Sequence, residues 1–405
     1  MIKNASDSRM KERVGLLVGL MVCLMTVAFS SIGIYTPAMP AIARDLGVGH
    51  AEVQATLGIY LAAFAIGQLL YGPYSDRYGR RPALFVGLAI YVAGSILCMT
   101  APSIEMLMVG RGVQALGGCA GPVLSRAILR DLFDRDEGAR IMAYIGLVMG
   151  VAPAFAPVFG GYLEVAFGWR SIFILLTLLG AIVLGLMIWL LEETNQSPHG
   201  SKRDGFLSMV LEYPRILRSR AFIGYTLVTG FSMGTIFVYV AAAPFVLIDV
   251  LHVPPDVYGW YALIPTGANI AGSFLAGRFT MRAGGDRMIL IGTGFILAGG
   301  LGMLFFVALG VLSVATVVAP MCFIHLGAGM MFPSATQSAV AMFPQRAGTA
   351  SSLNGFIQML IAALAVTLVG YLPGHSQLPM ALMMAGSAIL TALFIPLSRT
   401  RPRPA

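Results

Sequence analysis

The chain has 405 residues, 58% of them hydrophobic and only 11% charged, with 26 Lys+Arg against 18 Asp+Glu and a formal net charge of +8. A soluble protein needs about a quarter of its residues charged to cover its surface, so lipid must be the solvent for most of this chain. Backbone polar groups in lipid have to pair within their own segment, and the apolar runs are too long for barrel strands, so the spans are α-helices.

From the N-terminus, a polar stretch over 1–13 leads into an apolar run too long for a cleaved signal peptide, and it is expected as a retained first helix. Apolar runs cover 14–35, 53–71, 82–99, 106–124, 141–163 and 172–191. After a polar stretch they resume over 222–247, 258–276, 288–309, 314–339, 349–372 and 378–397. Each is close to the roughly 20 residues that a bilayer crossing takes. The predicted fold is all-α and integral to the membrane, with 12 transmembrane helices in two six-helix bundles, 1–191 and 220–405, joined by a linker over 192–219. All basic residues except Arg44, Arg111 and Arg170 fall near span ends on one side. The positive-inside rule makes that side cytoplasmic, together with both termini and the linker. The net charge is therefore a topology signal, and no soluble basic domain exists to contact nucleic acid.

Residue chemistry excludes several functions. Cys23, Cys98, Cys119 and Cys322 all lie in apolar runs without a CxxC or a His/Cys cluster, so neither a disulfide framework nor a metal site is expected. None of the three lysines follows Gly before Ser or Thr, so there is no phosphate-cradling loop. No nucleophile–base pattern points to an enzyme, and no cofactor is expected.

The halves echo each other. Gly72, Asp76, Arg77, Gly79 and Gly87 match Gly277, Met281, Arg282, Gly284 and Gly292 at a constant offset of 205 residues. Gly118 and Pro122 match Gly329 and Pro333, and Gly138 matches Gly348. Two such repeats closing around a central site are what alternating access requires.

Three motifs occur in order. The loop after the second span reads Gly72-Pro-Tyr-Ser-Asp76-Arg77-Tyr-Gly79-Arg80-Arg81. The fourth span carries Arg111-Gly-Val-Gln114-Ala115-Leu-Gly117, and the fifth carries Ala156-Pro157-Val-Phe-Gly160-Gly161. The first resembles the signature loop GxxxDRxGRR of the major facilitator superfamily. The second resembles its RxxQGxG motif and the third its antiporter motif GPxxGG, each with alanine for one glycine. Ile34-Tyr35-Thr-Pro37-Ala-Met-Pro40 and Ala347-Gly348-Thr349-Ala350 are similar to the Bcr/CflA (EmrD-like) drug:proton antiporters. The resemblance spans nearly the whole chain. It implies gating by Asp76, Arg80 and Asp131, which would tie the halves together at the cytoplasmic side, and a seal against leak by Pro157, Gly160 and Gly161. Pro153 stands in the same segment. It implies a role in proton coupling or substrate binding for Arg111, and a cavity in which Tyr35, Gln114, Phe231, Phe237, Asn269, Asn354 and Gln358 are candidate substrate-binding residues. Met149 and Met233 stand near the same levels, and flexible thioethers suit a pocket for varied apolar shapes.

Arg111 is the only charge well inside an apolar run, roughly 8–10 Å from the outer end. Such a charge must face a cavity or a partner, yet none of the 18 acids is placed at mid-membrane. Many Bcr-like members carry an aspartate just before the Tyr-x-Pro of the first helix, where this chain has Gly33. His325 is the only histidine inside an apolar run. With an ordinary imidazole pKa of about 6.5, it is the candidate proton carrier beside Arg111. The expected function is proton-coupled efflux of small amphipathic drug-like compounds across the bacterial inner membrane, by a monomer. Export of an endogenous metabolite or siderophore is the alternative, and a non-transporting membrane sensor is the weaker third.

Overall fold

A computed structural model of the chain describes residues 8–133, 141, 154–195, 206–372 and 376–398, and among these it contains helices and connections but no strand. Gly138, Met149 and Pro153 lie outside the described residues.

The first span is α1 (Ser8–Gly33), a short 3-10 turn (Thr36–Ala38) and α2 (Met39–Leu46). Pro37 and Pro40 lack a backbone donor, and each falls in the first turn of its element, where none is needed. α3 (His50–Tyr78) and α4 (Arg80–Met99) follow. The run predicted over 106–124 is two helices, α5 (Ile104–Gly118) and α6 (Ala120–Leu132), meeting at Cys119. Gly117, Gly118 and Pro122 weaken the ladder there, while bonds from Cys119 N to Ala115 O and from Val123 N to Cys119 O carry it through. α7 (Ala154–Phe167) and α8 (Arg170–Leu190) complete the first part.

The polar stretch predicted as linker holds a helix, α9 (Phe206–Leu217), which the sequence reading did not anticipate. It docks by Ile216 against Phe222, Ala339, Ala350 and Leu353. Beyond it lie α10 (Arg220–Pro244) with a π-helical extension (Phe245–Val250), α11 (Pro255–Ala283) and α12 (Gly285–Ala308). α13 (Val314–Ala341), α14 (Ala347–Tyr371), α15 (Leu378–Leu393) and α16 (Ile395–Ser398) end the described chain.

Among the described residues, nine helical runs are long and apolar enough to cross a membrane. The other three predicted spans have separate reasons for falling short. α5 and α6 are divided at Cys119, α7 is described only from Ala154, and α11 is 29 residues long but carries Thr266, Asn269, Ser273 and Arg278. Trp189, Phe274, Phe159 and Leu393 stand exposed on outward faces, as residues that face lipid do.

The repeat read from sequence recurs in the backbone. Both α3–α4 and α11–α12 turn on one glycine with positive φ, Gly79 at 103° and Gly284 at 84°, a conformation that side chains oppose. Each glycine N–H bonds back four residues, to Ser75 O and Thr280 O. Ser103 and Ser313 likewise cap α5 and α13. In the first part α4 packs on α5 and α8, and α3 on α5. In the second, α13 packs on α11 and α12, and α10 on α14 and α15. α3 against α14 is the main seam between the parts, and its core mixes Leu57 and Phe64 with Met359, Ala362 and Val366.

Candidate functional site

A cavity of about 340 Å³ lies where α1, α7, α10, α11 and α13 converge. Its wall includes Phe29, Pro157, Phe237, Tyr239 and His325. His325 Nδ1 lies 3.1 Å from the carbonyl of Met321. A carbonyl only accepts, so Nδ1 carries the hydrogen and Nε2 is left to take a proton. Asn269 donates to the His325 carbonyl at 3.1 Å and so ties α11 to α13 behind the ring. The Tyr239 hydroxyl is buried without a partner among the described residues. Gly33 also stands on this wall, so the position where many Bcr-like members carry an aspartate faces the same space as His325.

Arg111 is elsewhere. Its side chain is fully buried within the first part, between α1, α3 and α8. The guanidinium stacks over Tyr60 at 4.1 Å and Tyr35 at 4.6 Å from the ring centroids. Nη1 donates to Gln114 Oε1 at 2.6 Å and to Ser31 O at 3.2 Å, whereas Nε and Nη2 have no partner among the described residues. Gln114 passes the network on to Ser95 at 2.8 Å, and the Ser31 and Tyr91 hydroxyls share a bond of 2.7 Å. A cation is thus held by π-faces and neutral acceptors, with no carboxylate among its described contacts.

Carboxylates gather with arginine at one end of the molecule. Arg80 is buried, pairs with Asp76 four residues back and donates through Nε to Asp131 at 2.9 Å. Asp76, Arg80 and Asp131 therefore come together, all within the first part. Glu193, which the sequence reading missed, accepts from the backbone N–H groups of Arg80 at 2.9 Å and Arg81 at 3.1 Å. It places an anion at the start of α4, where the helix dipole favours one. The signal available in sequence was an acid just past the end of an apolar run. Between this cluster and residues 344–352 lies a cleft of about 450 Å³.

The parts meet tightly at the opposite end. A Cβ on Gly161 would strike the Pro255 carbonyl, with Asp256 Cα at 2.9 Å, while Gly160 packs α7 on the Ile34 carbonyl within the first part. Small residues allow this backbone approach. Arg44 pairs with Asp249 at 2.9 Å, and Trp260 Nε1 donates to the Tyr162 hydroxyl at 3.3 Å.

The family model described as Major Facilitator Superfamily matches residues 21–366. The chain belongs to that superfamily. A bicyclomycin resistance protein homolog of Haemophilus influenzae is 30% identical over 89% of this chain and 90% of its own. Multidrug resistance protein D of Escherichia coli is 30% identical over 96% and 97%. These relatives bear out the resemblance to the Bcr/CflA and EmrD-like branch. Among solved structures, a bacterial homolog of the human lysosomal transporter Spinster superposes with a TM-score of 0.73 at 16% identity, covering 97% of this chain and 99% of that one. The xylose transporter XylE from E. coli gives 0.71 at 14%, covering 95% and 97%. The all-helical facilitator fold is thereby established, and with it a multi-pass membrane protein of transporter type.

Within this facilitator fold the predicted residues separate into groups. Pro157, Phe237 and His325 share the cavity wall, with Asn269 behind His325. Tyr35 and Gln114 instead enclose Arg111, and Tyr35 OH bonds Thr56 at 2.7 Å. Phe231 stacks on Phe394 at 5.6 Å, and Gln358 donates to Thr229 at 2.9 Å. Asn354 is buried on α14 with Oδ1 unpartnered among the described residues. Arg111 and His325 are not brought together.

Proposed function

We propose that this facilitator exports small amphipathic drug-like compounds across the bacterial inner membrane in exchange for protons. The observation that carries the reading is the cavity between the two parts, largely apolar and aromatic but with an imidazole on its wall. Such a lining accepts varied apolar shapes and fixes few polar groups. The printed names of the relatives, bicyclomycin resistance and multidrug resistance, support drug-like cargo and outward transport. The bundles 1–191 and 220–405 are the bodies that rock, and 192–219 is the connection between them. The arginine-rich end faces the cytoplasm together with both termini. The cleft at that end and the contacts at the other correspond to the stage at which cargo loads from inside.

In the proposed cycle, a proton entering from outside resides on His325 Nε2 and leaves to the cytoplasm as the bundles rock back. A guanidinium keeps its charge in proteins, so Arg111 acts as a fixed positive charge and not as the carrier. Pro157, Gly160 and Gly161 hold α7 against α1 and α11 and seal the outer end. The proposed functional unit is a monomer.

The test is transport in proteoliposomes. His325→Gln is expected to abolish uptake driven by an imposed pH gradient while retaining substrate counterflow. Full proton-driven transport in that variant excludes His325 as the carrier, and failure of both assays with the wild-type chain for every amphipathic compound removes the efflux reading.

A further inference from the structure

Among the described residues, the cytoplasmic cleft carries more arginine than carboxylate. Four arginines line it, Arg80, Arg126, Arg130 and Arg346. Arg80 is matched by Asp76 and Asp131, and Arg346 by Glu212 at 3.0 Å. Arg126 and Arg130 have no carboxylate partner among the described residues. They are four apart on α6, so they share one face and repel each other. Arg126 Nε donates to the Pro122 carbonyl at 3.0 Å, which fixes its stem and leaves the terminal nitrogens for the cleft. The facing wall offers Thr349 and Ser351 hydroxyls.

The charge pattern deeper in the chain has the same sign. The next fixed charge is Arg111, with two guanidinium nitrogens unpartnered among the described residues, and none of the acids lies mid-span in any apolar run. Beyond Asp76 on the cleft wall, a cation moving inward would meet no acid placed mid-span. An anion would be drawn into a low-dielectric cleft whose walls focus the positive field.

We infer that the cleft lined by Arg126 and Arg130 is a loading vestibule selective for amphipathic anions, aromatic or aliphatic compounds bearing a carboxylate, sulfonate or phosphate. This rests on the efflux reading and narrows its substrate class. The anionic group engages the Arg126 and Arg130 guanidiniums and the Thr349 and Ser351 hydroxyls, while the apolar body points toward the cavity between the bundles. Binding also relieves the repulsion between Arg126 and Arg130, so the anion favours closure of the cleft around it.

The experiment compares three apolar aromatic probes of different charge with the full-length chain. They are anionic 8-anilinonaphthalene-1-sulfonate, uncharged N-phenyl-1-naphthylamine and cationic tetraphenylphosphonium. Transport is followed in phosphatidylcholine vesicles, and binding of the two naphthylamines by fluorescence on the detergent-purified protein. The wild type is expected to prefer the anion. Arg126→Gln with Arg130→Gln should raise the KM and Kd for the anion about tenfold and change those for the uncharged probe less than about twofold. Arg126→Lys with Arg130→Lys should restore anion affinity, and added salt should weaken it in the wild type. Equal or better handling of the cation overturns the inference, as does a double Gln variant that affects charged and uncharged probes alike. Competitive inhibition by phosphatidylglycerol vesicles would assign the cleft to lipid headgroups and overturn the loading role. If no probe is transported, the efflux reading falls, and the binding arm still decides whether the cleft selects anions.

Discussion

Arg111 shows how a single side chain can stay charged inside the apolar part of a helix without an acid beside it. Centring an arginine in a membrane helix costs about 2.5–3.5 kcal/mol on insertion scales, and a cation over a ring returns about 0.5–2 kcal/mol. With Tyr60 and Tyr35 at 4.1 and 4.6 Å and two acceptors on Nη1, compensation of the right order is already at hand. Tyr60 separates the contributions, because its hydroxyl donates to Ala28 O at 3.1 Å while its ring faces the guanidinium. Tyr60→Phe should lower unfolding free energy by about 1 kcal/mol through the lost hydrogen bond. Tyr60→Leu should cost a further ~1–2 kcal/mol, part of which disappears in an Arg111→Met background. Denaturation of the four variants in detergent measures this cycle, and an identical Leu-versus-Phe difference in both backgrounds would mean that the ring contributes packing alone. Arg111 itself was visible in sequence as the only charge well inside an apolar run. Its cage was not, because sequence gives the depth of Tyr35 and Gln114 along their helices but not the direction in which they face.

At the scale of elements, the spans were legible because apolar runs near the length of a bilayer crossing leave few alternatives. Their rotation was not. Helices such as α3, α10 and α13 present apolar residues all round, so no stripe distinguishes the face toward the cavity from the face toward lipid. The sequence pattern therefore offers Phe237, on the cavity wall, and Phe231, stacked on Phe394, as equal candidates. Motif positions fared differently, since Gly79 and Gly284 mark turns whose positive φ only glycine adopts freely. α7 gives a direct test of a motif glycine. Gly161→Ala would push a methyl group into the Pro255 carbonyl, where backbone cannot yield as a side-chain tip could. Misfits of this kind cost about 1–3 kcal/mol, and here the strain is relieved by separating α7 from α11. The expected outcome is a folded protein in which a cysteine at Tyr162 becomes more reactive to an impermeant maleimide from outside, with transport reduced. Unchanged reactivity and transport would show that the close approach is incidental.

At the scale of the whole molecule, the contacts between the two parts among the described residues are unevenly distributed between its ends. One end has the Arg44–Asp249 pair, the α7–α11 backbone contact and the Trp260–Tyr162 bond, while the other has a cleft of about 450 Å³. The Asp76–Arg80–Asp131 set is complete within the first part and has Met281 in place of the acid at the matching turn of the second, exposed and without charge. The energetic difference between faces therefore resides in contacts of modest strength, as an alternating cycle needs, since a population moves from one state to the other only when the gap is a few kcal/mol. Arg44 is 62% exposed at its side chain and Asp249 26%, and a pair so placed contributes about 0.2–1 kcal/mol. Asp249→Arg removes it and adds repulsion, which should shift the equilibrium toward the outward-open state by about three- to tenfold. Arg44→Asp combined with Asp249→Arg restores attraction and should return the population to near its original value. Distances between spin labels on the outer ends of α2 and α11 report the shift. If the single and double variants open alike, the pair does not gate that face, and the backbone contact of Gly161 with α11 and the Trp260–Tyr162 bond hold it.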